Sequence, residues 1–307
     1  MAPAHHLIYE NIRFALLAAS ALGQESARPL VEQLRRGVMA GSCTAFSPLA
    51  AWLGYSRGYT SIMRPSLTHS SRQTAQEILD ELRPLGSDGY KRVIFNHGIK
   101  EPCFGVKISE LQKIRKRIKK DYQLALDLYD TGNYDAMYLA GLIADDERMT
   151  KKDLQHWAEK AYCRAISGAI VATVAAGSKH GWELGLEWID SDEELIASAG
   201  WGTLASLVSI KGDAELALAE LKRLLQCVQK QIHSAPDTVR YQMNSFIIAV
   251  GSYVQPLTES ALEIGEKIGR VAADMGNTSC EVPFAPDSIR KVQKRGTIGK
   301  KRKSAKC

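Results

Sequence analysis

The sequence predicts an all-α fold in which helical hairpins stack side by side. From Thr74 onward nearly every segment carries apolar residues at helical spacing, and no segment shows the alternation of a half-buried strand. The connectors between these segments are short, which makes successive helices antiparallel neighbours. About ten helices in a row without a long crossover predict an α-solenoid of HEAT-like helical hairpins. The connectors are TGN, DDERM, KGD, SAPD and QP.

Apolar stripes define the individual helices. They lie within residues 108–120, 150–162, 195–208, 218–232, 239–254 and 261–275. Glycines inside a helix each cost about 1 kcal/mol relative to alanine. Close contact between helices is a reason to tolerate them here, at Gly168, Gly185, Gly200 and Gly202.

Helix ends are visible at several of these stripes. Thr150 and Asp153 stand at the spacing of a capping box, and Ser191 and Glu194 repeat that spacing before the next helix. At the other end of the domain, Gly276 is placed to close the last helix as its C-cap.

The positive charge of the chain is concentrated in two segments. The formal net charge is +6. Residues 287–307 carry nine basic residues against one acid, and residues 107–120 carry seven against one. The rest of the chain is therefore net negative by about 8 charges, and this separation favours a polyanion as partner.

The basic segment at residues 109–122, SELQKIRKRIKKDY, predicts an amphipathic helix. Its apolar stripe contains Ile108, Leu111, Ile114 and Ile118, and basic residues fill the remaining positions. Like charges this close repel each other, whereas an exposed helix usually mixes signs. Binding of a polyanion on a concave basic face and a plain solvated face are the two interpretations that this pattern leaves open.

Composition divides the chain into three parts. Before Ser71 all basic residues are arginine, and the first lysine is Lys91. We expect residues 1–73 to be an appended, poorly ordered or weakly helical segment, with helices possible at residues 9–21 and 26–39. Residues 74–280 are predicted to form the HEAT-like helical repeat domain, and residues 281–307 a basic C-terminal tail.

Cysteine spacing and motif searches exclude several classes of protein. The six cysteines are far apart and form no CxxC pair, which argues against a zinc site and against a secreted disulfide scaffold. No HExxH motif occurs, and no apolar run is long enough to span a bilayer. The sequence predicts a cytoplasmic, nucleoid-associated protein without cofactor, metal or membrane partner.

Residues 104–146 resemble the DNA alkylation repair family, which comprises HEAT-like-repeat DNA glycosylases and their relatives. The similar features are FGVK, then LALDLYDTGNYDA and LAGLIADD, followed by a helix with Trp157 and a WID turn at residues 188–190. Coverage extends over roughly residues 74–276. The resemblance implies a solenoid that cups DNA on its concave face. In active members it also implies excision of 3-methyladenine and 7-methylguanine.

The catalytic residues of that family do not carry over directly. Active members use an aspartate and two tryptophans, and the carboxylate stabilises the cationic sugar that forms as the glycosidic bond breaks. Aligned on the WID turn, the aspartate falls at Cys163 and the tryptophans fall at Glu159 and Ile248. Trp157 lies two residues from Glu159, although its spacing favours core packing. The candidate catalytic residues are therefore Glu159, Cys163 and Trp157.

The candidate DNA-binding residues are basic or amide side chains in the domain and the tail. Arg240 and Asn244 lie four residues apart on one helix face, where they are placed to hold a phosphate. Within the tail, residues 296–304 (GTIGKKRKS) are predicted to act as a flexible basic arm or, in an organism with a nucleus, as an import signal. The complete set is Lys107, Arg115, Lys119, Arg164, Lys179, Arg240, Asn244, Lys300, Lys301, Arg302 and Lys303.

Two functions from different classes remain. The first is a monomeric helical-repeat protein that binds alkylated or otherwise damaged double-stranded DNA and excises alkylated purines. The second is a non-catalytic HEAT-like scaffold that binds protein or nucleic-acid partners, with the tail as an address or tether.

Overall fold

A computed structural model describes residues 73–306 of the chain. These residues belong to one compact unit and contain thirteen α-helices. Within this range there is no strand, only an isolated antiparallel bridge between Gly86 and Val106. The all-α prediction is confirmed. The predictions for residues 1–73 fall, apart from Gln73, outside the described residues.

The helices follow one another with short connections. In chain order they are α1 Ala75–Leu82, α2 Asp88–Asn96, α3 Ile108–Ile118, α4 Tyr122–Asp130, α5 Tyr134–Ile143, α6 Lys151–Lys160, α7 Ala172–Gly177, α8 Gly181–Trp188, α9 Glu194–Ile210, α10 Leu218–Gln231, α11 Asp237–Tyr253, α12 Thr258–Ile268 and α13 Ala285–Lys294. A π-helical segment, Ile166–Val171, leads directly into α7.

Consecutive helices form hairpins, and the hairpins stack. The second helices of the hairpins pack against one another in chain order: α5 on the π-helical segment, that segment and α7 on α9, α9 on α11, and α11 on α13. We call these helices the stacked layer. The first helices of the hairpins, α4, α6, α8, α10 and α12, are the flanking helices.

Two glycines in α9 allow the stacked layer to pack closely. A Cβ on Gly202 would lie 2.8 Å from the carbonyl oxygen of Gly168 in the π-helical segment. A Cβ on Gly200 would lie 2.6 Å from the backbone nitrogen of Ile189 at the end of α8. Both distances are shorter than a Cβ contact allows, so α9 approaches its neighbours at the distance that only glycine permits. The expectation that these helix glycines mark close contacts is confirmed.

Three tryptophans fill the core of the stack. Trp157, Trp188 and Trp201 are almost fully buried. The ring of Trp157 stacks on that of Tyr129 with centroids 4.1 Å apart, and Trp201 meets the Phe246 ring edge-on at 5.3 Å. Core packing, the interpretation that their spacing favours, is confirmed for Trp157 and Trp188.

The C-terminal part differs from the sequence-based expectation. The last predicted helix was expected to reach Met275 and close at Gly276, but α12 ends at Ile268 with Gly269 at φ 75°. The arm predicted at residues 296–304 is attached to the domain rather than flexible, because the backbone N–H groups of Gly299 and Arg302 donate to the carbonyls of Ser252 and Ser209. Before it, residues 285–294 of the tail form α13 against α11 and α12. Apolar residues spaced among the basic ones, Ala285 and Ile289, are buried in that contact.

Candidate nucleic-acid interface

The start of the basic helix α3 is fixed by a buried carboxylate. The backbone N–H groups of Phe104, Gly105 and Val106 donate to the Asp135 carboxylate at 2.7, 3.2 and 2.9 Å. Asp135 is fully buried in the first turn of α5. The loop that delivers the chain to α3 is thereby attached to α5, and Lys107, the next residue, caps α3.

Sequence reasoning missed Asp135. The signal was present as one acidic residue inside the otherwise apolar run YDAMYLAGLI. Charged residues are almost never fully buried unless they are paired or hydrogen-bonded, so an aspartate in such a run predicts local backbone donors.

Several cations of α3 are neutralised within the protein. Arg117 donates to both carboxylate oxygens of Glu81 at 2.9 and 2.6 Å, and this raises the pKa of the guanidinium. Lys113 pairs with Glu110 one turn earlier. The Arg117 pair connects the basic helix to α1, and both pairs reduce the number of its cations that are available to a partner.

Three other lysines of this segment remain available. Lys107, Lys116 and Lys119 are exposed, and their side-chain ammonium groups have no hydrogen-bond or ion-pair partner among residues 73–306. Lys119 ends the helix with a positive φ of 66°. Arg115 is half-buried and donates to Gln112 at 3.2 Å. The helix is amphipathic as predicted, with Leu111 and Ile114 buried, but Ile108 of the predicted stripe is exposed at the start of the helix.

The C-terminal tail runs across the carboxyl ends of the stacked helices. After α13, the backbone N–H of Gly299 donates to the carbonyl of Ser252 at the end of α11 at 3.0 Å. The ammonium of Lys301 then donates to the carbonyl of Val208 near the end of α9 at 2.9 Å. The last carbonyls of a helix have no partner within the helix, so these contacts satisfy them, and a cation at this end also complements the helix dipole.

The same pattern continues to the N-terminal hairpins. The backbone N–H of Arg302 donates to the carbonyl of Ser209 at 2.8 Å. Lys306, only 7% exposed, donates to the carbonyl of Ala144 at the end of α5 at 2.7 Å and lies 2.5 Å from the Asp146 carboxylate. Part of the positive charge of the tail is thus structural.

The end of the tail meets the basic helix. Burial lowers the pKa of the Lys306 ammonium; Asp146 raises this pKa, and the nearby charges of Lys120 and Arg115 lower it further. Lys120 itself bonds Asp145 at 3.1 Å, which raises its pKa. Because Lys306 and Lys120 pair with the adjacent carboxylates of Asp146 and Asp145, the two basic segments of the sequence converge in space.

We call the surface where they converge the basic edge. It consists of the C-terminal half of α3 and the tail that follows α13. Its members are Arg115, Lys116, Lys119, Lys120, Lys300, Lys301, Arg302, Lys303 and Lys306. Among them Lys116, Lys119, Lys300 and Lys303 are exposed and without an ion pair in the described part of the chain.

Arg164, Arg240 and Asn244 are brought together elsewhere. Arg240 donates to the carbonyl of Ala235 and, at 2.7 Å, to the carbonyl of Ala272. Arg164 lies over the ring of Tyr241, one residue after Arg240, at 4.8 Å from the ring centroid. Asn244 is buried, and its side-chain amide donates a hydrogen bond to the carbonyl of Pro283. All three are engaged by the segment between α12 and α13.

Comparison with known proteins identifies the family. The family model for the DNA alkylation repair enzyme matches residues 78–280 of the chain. The chain belongs to the DNA alkylation repair enzyme family. The resemblance found in the sequence is confirmed by this match, which covers about two thirds of the chain.

Relatives of this family member include proteins of Listeria. Uncharacterized protein Lin0241 of Listeria innocua and uncharacterized protein Lmo0209 of Listeria monocytogenes are each 30% identical over 228 residues. The match covers 72% of this chain and 98% of each relative.

A solved structure shares the fold. It is described as a new family of proteins related to the HEAT-like repeat DNA glycosylases with affinity for branched DNA structures. It matches this DNA alkylation repair family member with a TM-score of 0.71 at 34% identity, over 76% of this chain and 100% of that chain. The predicted α-solenoid of HEAT-like hairpins is confirmed.

The three candidate catalytic residues of this family member lie in different environments. Trp157 is in the core and has no exposed ring face. Cys163 is 7% exposed, and burial raises the pKa of its thiol, which is therefore neutral near pH 7. Glu159 is exposed at the end of α6 and accepts a hydrogen bond from Gln155 at 2.8 Å. Only Glu159 presents a charged group to solvent.

This DNA alkylation repair family member has one more candidate DNA-binding residue, Lys179. Lys179 is exposed in the turn between α7 and α8. This turn belongs neither to the basic edge nor to the segment between α12 and α13. Within residues 73–306 no three His, Cys, Asp or Glu side chains are grouped as metal ligands. No helix in that range has the length and apolar character needed to cross a bilayer.

Proposed function

We propose that this protein binds DNA through the basic edge and that branched DNA is its preferred form. The observation that carries the proposal is the convergence of the tail with the end of α3, where Lys306 and Lys120 pair with the adjacent carboxylates of Asp146 and Asp145. Two segments that are far apart in sequence build one cationic surface, and such a surface attracts a phosphate backbone independently of base sequence. The solved relative, described as having affinity for branched DNA structures, supports the preference for branched DNA.

The arrangement of the basic edge suits a junction. One set of lysines lies on a rigid helix, α3, and the other on a tail attached to the ends of α9 and α11. A branched DNA presents two phosphate backbones that diverge from one point, so the helix and the tail each contact one arm. A linear duplex, including an alkylated one, presents no second diverging arm.

Binding to a labelled four-way junction is therefore expected to be tighter than binding to a linear duplex of the same sequence, with or without alkylation. Fluorescence anisotropy measures both dissociation constants. For roughly four phosphate contacts, affinity should fall about 100-fold between 50 and 200 mM salt. Equal affinity for the two DNA forms removes the preference for branched DNA, and salt-independent binding contradicts the role of the basic edge.

Reversing two charges on the basic edge should weaken junction binding by about 10- to 100-fold. The variant is Lys116→Glu with Lys119→Glu, because both lysines are exposed and make no ion pair that the change would break. The matched control reverses Lys152 and Lys230, which are exposed on the flanking helices α6 and α10. If both variants bind like the wild type, the basic edge is not the DNA surface and the scaffold function takes its place.

Excision of alkylated purines is expected to stay at the background rate. A glycosylase of this family stabilises a cationic sugar with a carboxylate, whereas Cys163 is neutral and Trp157 is inaccessible in the core. The assay measures release of 3-methyladenine and 7-methylguanine from alkylated DNA, with a protein-free sample as control. Release above that control which is lost in Glu159→Gln would show that the protein is a glycosylase after all.

A further inference from the structure

The loop at residues 271–283 has the form of an Ω-loop. It leaves α12 and returns to α13, and these two helices pack directly against each other. Its ends are held together by the guanidinium of Arg270, which lies 5.5 Å from the centroid of the Phe284 ring. Compact loops with joined ends are frequently functional.

The tip of this loop rests on another part of the molecule. Gly276 has a positive φ of 75°, and a Cβ built on it would lie 2.1 Å from the carbonyl oxygen of Asn96. It would also lie 3.2 Å from the Cα of His97. The tip is therefore packed against the end of α2, far along the chain from the helices that carry the loop.

Between its ends and its tip, the loop covers two arginines. The Arg240 guanidinium donates to the carbonyl of Ala272 at 2.7 Å. The Arg164 guanidinium donates to the carbonyl of Asp274 at 3.4 Å and contacts the sulfur of Met275 at 2.9 Å. Both side chains point towards the loop backbone, Arg240 from α11 and Arg164 from the residues just before the π-helical segment.

An amide completes this group. The side-chain N–H of Asn244 donates to the carbonyl of Pro283 at 2.9 Å, one helical turn along α11 from Arg240. Two guanidinium groups and one amide, all donors, thus converge on carbonyl oxygens of a single loop. Arginine forks bind phosphate oxygens in the same manner but more strongly, because a phosphate carries a full charge.

The loop also carries the charge expected of a substitute for a phosphate backbone. Between Val271 and Pro283 it contains two acidic residues, Asp274 and Glu281, and no basic residue. Its carbonyl oxygens accept from the donors that we expect a nucleic-acid strand to contact.

We propose that Arg164, Arg240 and Asn244 form a second binding site, for the phosphates of a nucleic-acid strand, and that the 271–283 loop occupies this site until a strand displaces it. The site is separate from the basic edge, and DNA as its ligand rests on the proposed function. A ligand that must first displace the loop binds with an affinity reduced by the fraction of molecules in which the loop is open. Opening the loop therefore raises the affinity of the protein for DNA without adding a contact to the complex.

The variant Gly276→Ala should open the loop. Alanine is strained at this positive φ, and its Cβ clashes with the Asn96 carbonyl, so the tip must leave α2. The dissociation constant for a labelled junction should fall at least about threefold. Gly132→Ala is the matched control, since Gly132 has a φ of 68° but open space around its Cβ position, and it should leave affinity unchanged.

The gain must depend on the covered donors. Adding Arg164→Gln and Arg240→Gln to Gly276→Ala should return the dissociation constant to the wild-type value. If Gly276→Ala binds DNA like the wild type, or if its gain survives loss of both arginines, the proposal is overturned.

Hydrogen exchange of the wild-type protein gives a second test that needs no variant. Amides of residues 271–283 should exchange faster when junction DNA is bound, because the loop is displaced, and unchanged or slower exchange contradicts displacement.

The proposal for the basic edge and the proposal for the loop can fail independently of each other. If only the Lys116→Glu, Lys119→Glu variant changes binding, the basic edge stands and the loop proposal falls. If only Gly276→Ala binds DNA, the reverse holds, and if neither the wild type nor Gly276→Ala binds, both fall.

Discussion

Replacing Asp135 with asparagine is expected to destabilise the protein by about 3 kcal/mol. The carboxylate accepts backbone hydrogen bonds from Phe104, Gly105 and Val106 in the core. Asparagine has the same shape, so no cavity forms. Its amide group, however, turns one acceptor oxygen into a donor that faces backbone N–H groups. The lost bonds and the unsatisfied buried donors together account for the size of the effect.

Urea unfolding followed by circular dichroism measures the change in the free energy of unfolding. Asp127→Asn serves as the control, because Asp127 is exposed on α4 and accepts only one side-chain bond, from Gln123. That control should stay within about 0.5 kcal/mol of the wild type. An Asp135→Asn variant as stable as the control would show that the carboxylate does not hold the loop before α3.

Removing the cation of Lys306 is expected to cost about 3 kcal/mol at pH 7. In Lys306→Met, Asp146 keeps its largely buried carboxylate but loses the ammonium 2.5 Å away. An uncompensated buried charge is strongly destabilising, whereas removing both charges is often close to neutral. The double variant Lys306→Met, Asp146→Asn should therefore recover most of the loss, and Lys303→Met, on an exposed tail lysine, should have little effect.

The loss should depend on pH in a defined direction. Burial raises the pKa of Asp146 in the folded protein and Lys306 lowers it, so the pKa rises further when Lys306 is removed. A carboxyl whose folded pKa is raised favours folding when protonated and opposes it when ionised. The destabilisation should be complete above the raised pKa and should shrink as pH falls through it towards about 4, the ordinary carboxyl value. A loss that is constant with pH would contradict this origin.

Helix content and packing faces followed from the sequence because they depend on local periodicity. The buried positions Leu111 and Ile114 of α3, the Thr150 capping box and the core position of Trp157 agree with the structure. The core position of Trp188 agrees as well. Local periodicity gave a wrong prediction where contacts with residues distant in the sequence determine the conformation. Residues 269–275 have helical spacing, but they do not form a helix. The carbonyls of Ala272 and Asp274 accept hydrogen bonds from the side chains of Arg240 and Arg164 instead.

The candidate site was predictable as a set of residue types and not as an arrangement. Clusters of lysine and arginine at residues 107–120 and 287–307 are a property of the sequence. Which of these cations are neutralised is decided by acids from other helices, such as Glu81 for Arg117 and Asp146 for Lys306.

The sequence by itself determined that this chain is a stack of amphipathic helices with two cationic segments, because periodicity and charge are read locally. The tertiary structure alone decided that the two segments meet at one edge and that a loop covers Arg164, Arg240 and Asn244. The physical reason is that helix-end carbonyls and buried charges need hydrogen-bond partners. Tertiary packing, and not local sequence, determines which donor or acceptor lies within hydrogen-bonding distance.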